Sequence, residues 1–117
     1  MTKALIVDDE YTTLTVIEVM LQGGGYDVVM SDDGKNVGKL VEIEHPDILI
    51  IDIFMPDVDG IENIRAIRDI YPDLPILAIS SNIDYLRMAK KFGADASLHK
   101  PIMGSDLLEQ VSSLIKH

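Results

Sequence analysis

Short apolar runs alternate with longer stretches of helical period five times along the chain. Ala4-Leu5-Ile6-Val7, Val28-Val29-Met30, Ile48-Leu49-Ile50-Ile51 and Ile76-Leu77-Ala78-Ile79 are short and aliphatic, as expected of strands covered on both faces by helices. A fifth run, residues 94–98, is only weakly apolar and predicts an edge strand. Between the runs, Leu14, Ile17 and Leu21 share a helical face that stops at Gly23-Gly24-Gly25. Ile61, Ile64, Ile67 and Tyr71 repeat that period up to Pro72, and Tyr85, Met88, Ala89 and Phe92 repeat it up to Gly93, placed as a C′ residue. Leu108, Val111 and Ile115 predict a last helix with Ser105 as its N-cap. A further helix is expected over residues 35–44, weakened by Gly38 in its interior.

This alternation implies an α/β domain with a parallel sheet, helices on both faces and right-handed crossovers. Five such units match the flavodoxin-like doubly wound (βα)5 arrangement, a parallel five-stranded sheet of order 2-1-3-4-5. The 117 residues suffice for one domain and no more, so 1–117 is expected to be a single unit. In that topology a site lies outside the carboxyl ends of the strands, near the switch point between strands 1 and 3.

The polar residues gather at those ends. The first run ends in Asp8-Asp9-Glu10, the third in Asp52, the fourth in Ser80-Ser81-Asn82, and the fifth leads to Lys100-Pro101. Taken singly, each is ordinary turn or cap chemistry. Together, on one edge, they are not. Converging carboxylates repel unless a cation lies between them, and an oxygen-only donor set suits a hard ion, Mg²⁺ before Ca²⁺ or Mn²⁺. Lys100 and the Ser80 hydroxyl add a positive charge and a donor for something anionic. That is the equipment of phosphoryl transfer.

Composition narrows the field. With 20 acidic against 10 basic residues and a net charge of −10, the chain is not expected to grip nucleic acid or an anionic membrane surface. It has no Cys, which removes thiol nucleophiles and cysteine–zinc sites. No apolar run approaches the ~20 residues of a membrane span, and the N-terminus lacks a signal-peptide pattern. A cytoplasmic location is the expectation.

The residues resemble the receiver domain of two-component response regulators over the whole length. The matching stretches are 5–10, 52–60, Ser80, Phe92-Gly93-Ala94 and Lys100-Pro101. The most specific is Asp52 followed by Met55-Pro56 and then Asp59-Gly60. The resemblance implies that Asp52 is the phospho-acceptor, taking its phosphoryl group from a phosphohistidine of a sensor histidine kinase or phosphotransfer protein. It implies Mg²⁺ ligated by Asp9, Asp52 and the Phe54 backbone carbonyl, with Asp8 acting through a water. Ser80 takes the place of the switch hydroxyl, and Lys100 that of the lysine pairing with the acceptor. Lys100–Pro101 matches a position where such domains commonly have a cis peptide. Signalling to an output partner or a second copy through helix 4, strand 5 and helix 5 is likewise implied. Phe54 and Asn82 match the positions flanking the path of a hydrolytic water. Two residues depart from the pattern: Ser97 stands where an aromatic ring is usual, and Ser81 where Ala or Gly is usual.

Rival readings fit less well. An aspartyl-phosphate phosphatase normally has a second Asp where Phe54 stands, and an FMN protein would not present Asp8-Asp9 to a phosphate. Among the remaining residues, His99, His45 and His117 are expected at the surface or in loops, and the six Met mostly in the core. Asp57 and Asp59 are expected as loop and helix-start residues. Arg87, Lys90 and Lys91 form a basic face on an acidic chain.

Overall fold

The computed structural model describes residues 2–55 and 58–115. Pro56, Asp57 and His117 of the motifs above lie outside them. In chain order the elements are β1 (Lys3–Val7), α1 (Tyr11–Gly23), β2 (Asp27–Ser31), a single 3₁₀ turn (Gly34–Asn36), α2 (Val37–Glu44) and β3 (Ile48–Asp52). Then follow the two-residue strands β4 (Phe54–Met55) and β5 (Val58–Asp59), α3 (Gly60–Ile70), β6 (Ile76–Ser80), α4 (Ile83–Lys91), β7 (Ala96–His99) and α5 (Gly104–Ile115). The main sheet is parallel with order β2-β1-β3-β6-β7. Setting aside the small antiparallel β4–β5 ribbon, this is the doubly wound order expected from the alternation.

The two faces of each strand serve two cores. Ala4, Ile6, Ile48, Ile50, Leu77 and Ile79 point to Leu14, Ile17 and Leu21 of α1 and Leu107 and Val111 of α5. Leu5, Val7, Leu49, Ile51, Ile76 and Ala78 point the other way, to α2, α3 and α4. Strict alternation in strands buried on both sides requires apolar residues at every position. That is why β1, β3 and β6 read as unbroken aliphatic runs.

The pattern misplaced several details. β2 is an outer strand, as the expected order has it, and Val28, Val29 and Met30 are half-buried where full cover on both faces was expected. β7 is the opposite edge and starts at Ala96, two residues later than expected. On α4 the buried residues are Leu86 and Ala89, while Met88 and Phe92 are exposed. Of the expected face, Ala89 is buried and Tyr85 packs half-buried on the core, and Leu86 takes the place expected of Met88 and Phe92. Ser105 is not the N-cap of α5, because the Leu107 N–H bonds the Met103 carbonyl and closes the first turn ahead of it. Of the described methionines only Met55 is fully in the core; Met20 and Met30 pack at its margin, and Met88 and Met103 are exposed.

Two glycines differ sharply in what they carry. A Cβ on Gly60, the first residue of α3, would collide with the backbone of Ile53. The chain leaving β3 is thus pressed directly onto the helix that follows. Gly38 lies exposed within α2, and a Cβ there would meet no atom within 4 Å. Gly60→Ala should therefore lower unfolding free energy by ~1–3 kcal/mol, the range for overpacking. Gly38→Ala should raise it by up to ~1 kcal/mol through helix propensity. Urea denaturation of the two variants beside wild type checks both signs.

Candidate functional site

At the carboxyl edge of the sheet, Asp8, just past β1, and Asp52, the last residue of β3, continue the rows of Ile6 and Ile50. Both are buried, at 0% and 3% exposure. Lys100, just past β7, reaches back between them. Its Nζ lies 2.8 Å from Asp52 Oδ2, 2.9 Å from Asp8 Oδ2 and 2.7 Å from Glu10 Oε1. The other oxygen of each buried carboxylate is tied to its own loop. The Glu10 N–H donates to Asp8 Oδ1 at 2.9 Å, and the Phe54 N–H donates to Asp52 Oδ1 at 2.8 Å. The Lys100 N–H donates to the Ser80 carbonyl at 2.9 Å, which fixes the lysine's starting point, and the Lys100–Pro101 peptide is cis.

Three carboxylates around one ammonium leave negative charge in excess. Burial pushes the Asp8 carboxyl up to about 6, against the Glu10 backbone bond and Lys100, with the Asp52 charge adding to the rise. Burial alone would lower the Lys100 ammonium; its bonds to Asp52 and Glu10 and its ion-pair contact with Asp8 outweigh this and hold it above the ordinary lysine range. Although Asp8 Oδ2 lies close to Lys100, it receives no well-directed hydrogen bond. A buried oxygen in that condition is costly. Oxygens of Asp8, Glu10 and Asp52 lie within 4.8 Å of one another. All-oxygen donors, surplus negative charge and one orphaned buried oxygen together fit a hard divalent cation.

The residues expected at the site are only partly assembled. Asp8, Asp52 and Lys100 meet directly. Ser80 is buried on the same edge, where its Oγ accepts the Asn82 N–H at 2.9 Å. Asn82 in turn caps α4, its Oδ1 accepting from the N–H groups of Asp84 and Tyr85. Asp9 is exposed and stands outside the three-carboxylate group, lining a separate hollow with Asp32, Asp33 and Lys35. The Phe54 side chain is exposed and packs on Tyr85, ring centroids 5.1 Å apart. Ser97 is half-buried within β7, and His99 is exposed. Asp59 caps α3, accepting from the N–H groups of Ile61 and Glu62. Glu10 was missed as a member of the cluster, although its place two residues after Asp8 was a usable signal.

The raised Asp8 pKa has a definite sign. The folded protein binds this proton more tightly than the unfolded chain, so the stability Asp8 contributes is complete below 3.8 and is lost as pH rises through about 6. Asp8→Asn keeps the acceptor for the Glu10 N–H without the charge. In metal-free buffer its melting temperature should exceed that of wild type above pH 6, and the two should converge as pH falls toward the ordinary aspartate range of about 3.9. Paired thermal melts across pH check this.

Comparison with known proteins agrees with the geometry. The sequence pattern of the response regulator receiver domain matches residues 4–112. The alkaline phosphatase synthesis transcriptional regulatory protein PhoP of Bacillus subtilis (strain 168) is 31% identical over 117 residues, covering 97% of this chain and 48% of PhoP. The chain thus spans about half the length of that relative. The receiver domain of sensor histidine kinase PA1611 from Pseudomonas aeruginosa PAO1, solved with magnesium coordinated in its active site cleft, superposes with a TM-score of 0.90 at 28% identity, covering 99% of this chain and 98% of that one. Chemotaxis protein CheY4 of Vibrio cholerae gives 0.87 at 29% identity, covering 97% and 98%. A switch-point site built from Asp8, Asp52 and Lys100, on this topology and with these likenesses, places the chain in the response regulator receiver domain family, the signalling switches of two-component systems.

Proposed function

We propose that Asp52 is the phospho-acceptor of this receiver domain and that residues 1–117 form one such domain. The supporting observation is the Asp52 carboxylate itself: buried, tethered at Oδ1 by the Phe54 N–H and met at Oδ2 by Lys100. One carboxylate oxygen of Asp52 attacks the phosphorus of a phosphohistidine on a histidine kinase or phosphotransfer protein. The P–N bond breaks, the imidazole leaves, and an acyl phosphate forms on Asp52. Lys100 neutralises charge on the transferred group. The Ser80 hydroxyl donates to a phosphoryl oxygen.

Mg²⁺, held by Asp8, Asp9, Asp52 and the Phe54 backbone carbonyl, would neutralise charge as the phosphoryl group moves. The orphaned Asp8 oxygen and the magnesium in the Pseudomonas receiver cleft support that choice. The added phosphate, about −1.5 to −2 in charge, shifts the domain between two states by engaging Ser80 and Lys100. The signal then leaves through α4, β7 and α5 to an output partner, and the chain acts in the cytoplasm. Among the described residues no helix is long and apolar enough to cross a membrane.

Incubation with acetyl phosphate and Mg²⁺ should add one phosphoryl group, read as a single mass increment. Asp52→Asn should show none; undiminished labelling in that variant would overturn the assignment.

The lifetime of the acyl phosphate is a separate matter. A hydrolytic water must approach in line with the Asp52 oxygen, and Phe54 flanks that path without offering it a hydrogen bond. The Asn82 carbonyl oxygen is already committed to capping α4, which weakens its claim to hold the water. Phe54→Asn should therefore shorten the phosphorylated lifetime by ~3–10-fold, or ~0.7–1.4 kcal/mol of barrier. Decay after removal of phosphodonor measures it, and decay no faster than wild type would mean that the ring does not shield the phosphate.

A further inference from the structure

The Lys100 ammonium shares its hydrogen bonds unevenly among the three acids around it. Directed bonds run from Nζ to Glu10 Oε1 at 2.7 Å and to Asp52 Oδ2 at 2.8 Å. Asp8 Oδ2 lies almost as near, at 2.9 Å, yet receives none. The Asp8 side chain is wholly buried, whereas that of Glu10 is 62% exposed. Such a bond is worth most to an oxygen that water cannot reach. Here the oxygen that water can reach has it.

The backbone explains how. The Glu10 N–H is fastened to Asp8 Oδ1, which sets Glu10 at the mouth of the site, where its side chain meets Nζ on the solvent side. Glu10 and Lys100 both line an open groove with Thr12, Thr13, Ser81 and Ile102, so the Glu10 carboxylate has room to swing away. Lys100 is held in place without it. Its side chain is largely buried, its own N–H bonds the Ser80 carbonyl, and Asp52 takes a second bond from Nζ. Glu10 therefore adds little to placing the lysine, and its main effect is to occupy a donor.

We propose that Glu10 is a positioning residue, a latch that holds the Lys100 ammonium toward solvent until a phosphoryl group on Asp52 displaces it. The inference rests on the reading of Asp52 as the phospho-acceptor. An arriving phosphoryl group needs the same ammonium to neutralise its charge. Asp8 and Asp52 are fixed by burial and by the bonds to their own loops. Of the three acids, only Glu10 stands on an exposed side chain, which can leave at the small cost of a surface ion pair. An exposed charge repels an anionic donor only weakly through water and salt, so competition for the ammonium is the larger effect. Glu10 thus restrains phosphoryl uptake by acting through Lys100.

Acetyl phosphate with Mg²⁺ is the probe: an Asp52 oxygen bonds the phosphorus, the P–O bond to the acetyl group breaks, and acetate leaves. Glu10→Gln keeps the reach but makes a weaker, uncharged bond. It should raise the rate of uptake about fivefold, or ~1 kcal/mol of barrier. Asp73→Asn removes the same charge from an exposed site ahead of β6, at the opposite edge of the sheet, and should leave the rate unchanged. In a Lys100→Ala background, Glu10→Gln should change the rate by less than ~2-fold, because the acid acts through the lysine; repulsion of the donor alone would persist there. A crystal structure with beryllofluoride on Asp52, which needs no Lys100 variant, should show Glu10 beyond the ~4 Å ion-pair range of Lys100. Uptake unchanged or slowed in Glu10→Gln, an acceleration that survives the loss of Lys100, or a Glu10–Lys100 pair still closed over beryllofluoride would each overturn the latch and leave the role of Asp52 standing. A wild-type protein that takes up no phosphoryl group on Asp52 would overturn that reading, and the latch with it.

Discussion

The site depends on a single lysine held among buried acids. Lys100 Nζ contacts Asp8, Glu10 and Asp52, so acids from two segments distant in sequence converge on one ammonium. Neither Asp8 nor Asp52 has water enough around it to carry charge cheaply. The lysine makes their burial tolerable without making the edge neutral, and the rise of Asp8 to about 6 records the remainder. The edge is therefore under electrostatic tension of a kind that a hard cation would relieve. Stability is given up there, while the apolar cores on both sheet faces hold the strands that carry these acids.

The edge that carries Asp52 also has a mechanical neighbour. The Ser80 Oγ accepts from the Asn82 N–H, and the Asn82 side chain accepts from the first N–H groups of α4. The Ser80 hydroxyl can donate its proton while its oxygen accepts, so a displacement of that oxygen would act on the Asn82 N–H and on the cap beyond it. On the other flank, the Phe54 N–H bonds Asp52 while the Phe54 ring lies against Tyr85 of α4. Both flanks of Asp52 thus bear on the same helix. With Ser97 in place of an aromatic ring, α4 is the element on which the local bonds converge.

The framework was legible in the sequence for a physical reason. Strands covered on both faces must be apolar at every position, so β1, β3 and β6 stood out, and the polar residues that ended them could only lie at the edge. Asp8, Asp52, Ser80 and Lys100 were found by that logic. Periodicity was weaker guidance for surface helices. On α4, Tyr85, Met88, Ala89 and Phe92 have the spacing of a core face, but only Ala89 is fully buried, with Leu86 beside it, while Met88 and Phe92 are exposed. An exposed apolar face and a buried one look alike in one sequence. The position of Glu10 two residues after Asp8 was legible, but its bond to Lys100 spans 90 residues, and the outward position of Asp9 depends on how the loop after β1 turns.

The most direct test of this electrostatic account is the titration of the Asp8 carboxyl carbon by nuclear magnetic resonance, without metal and then with Mg²⁺. The account predicts a metal-free midpoint pushed up to about 6, moving downward as Mg²⁺ is added because a bound cation favours the carboxylate. A metal-free midpoint in the ordinary aspartate range, about 3.9, and unmoved by Mg²⁺, would contradict it.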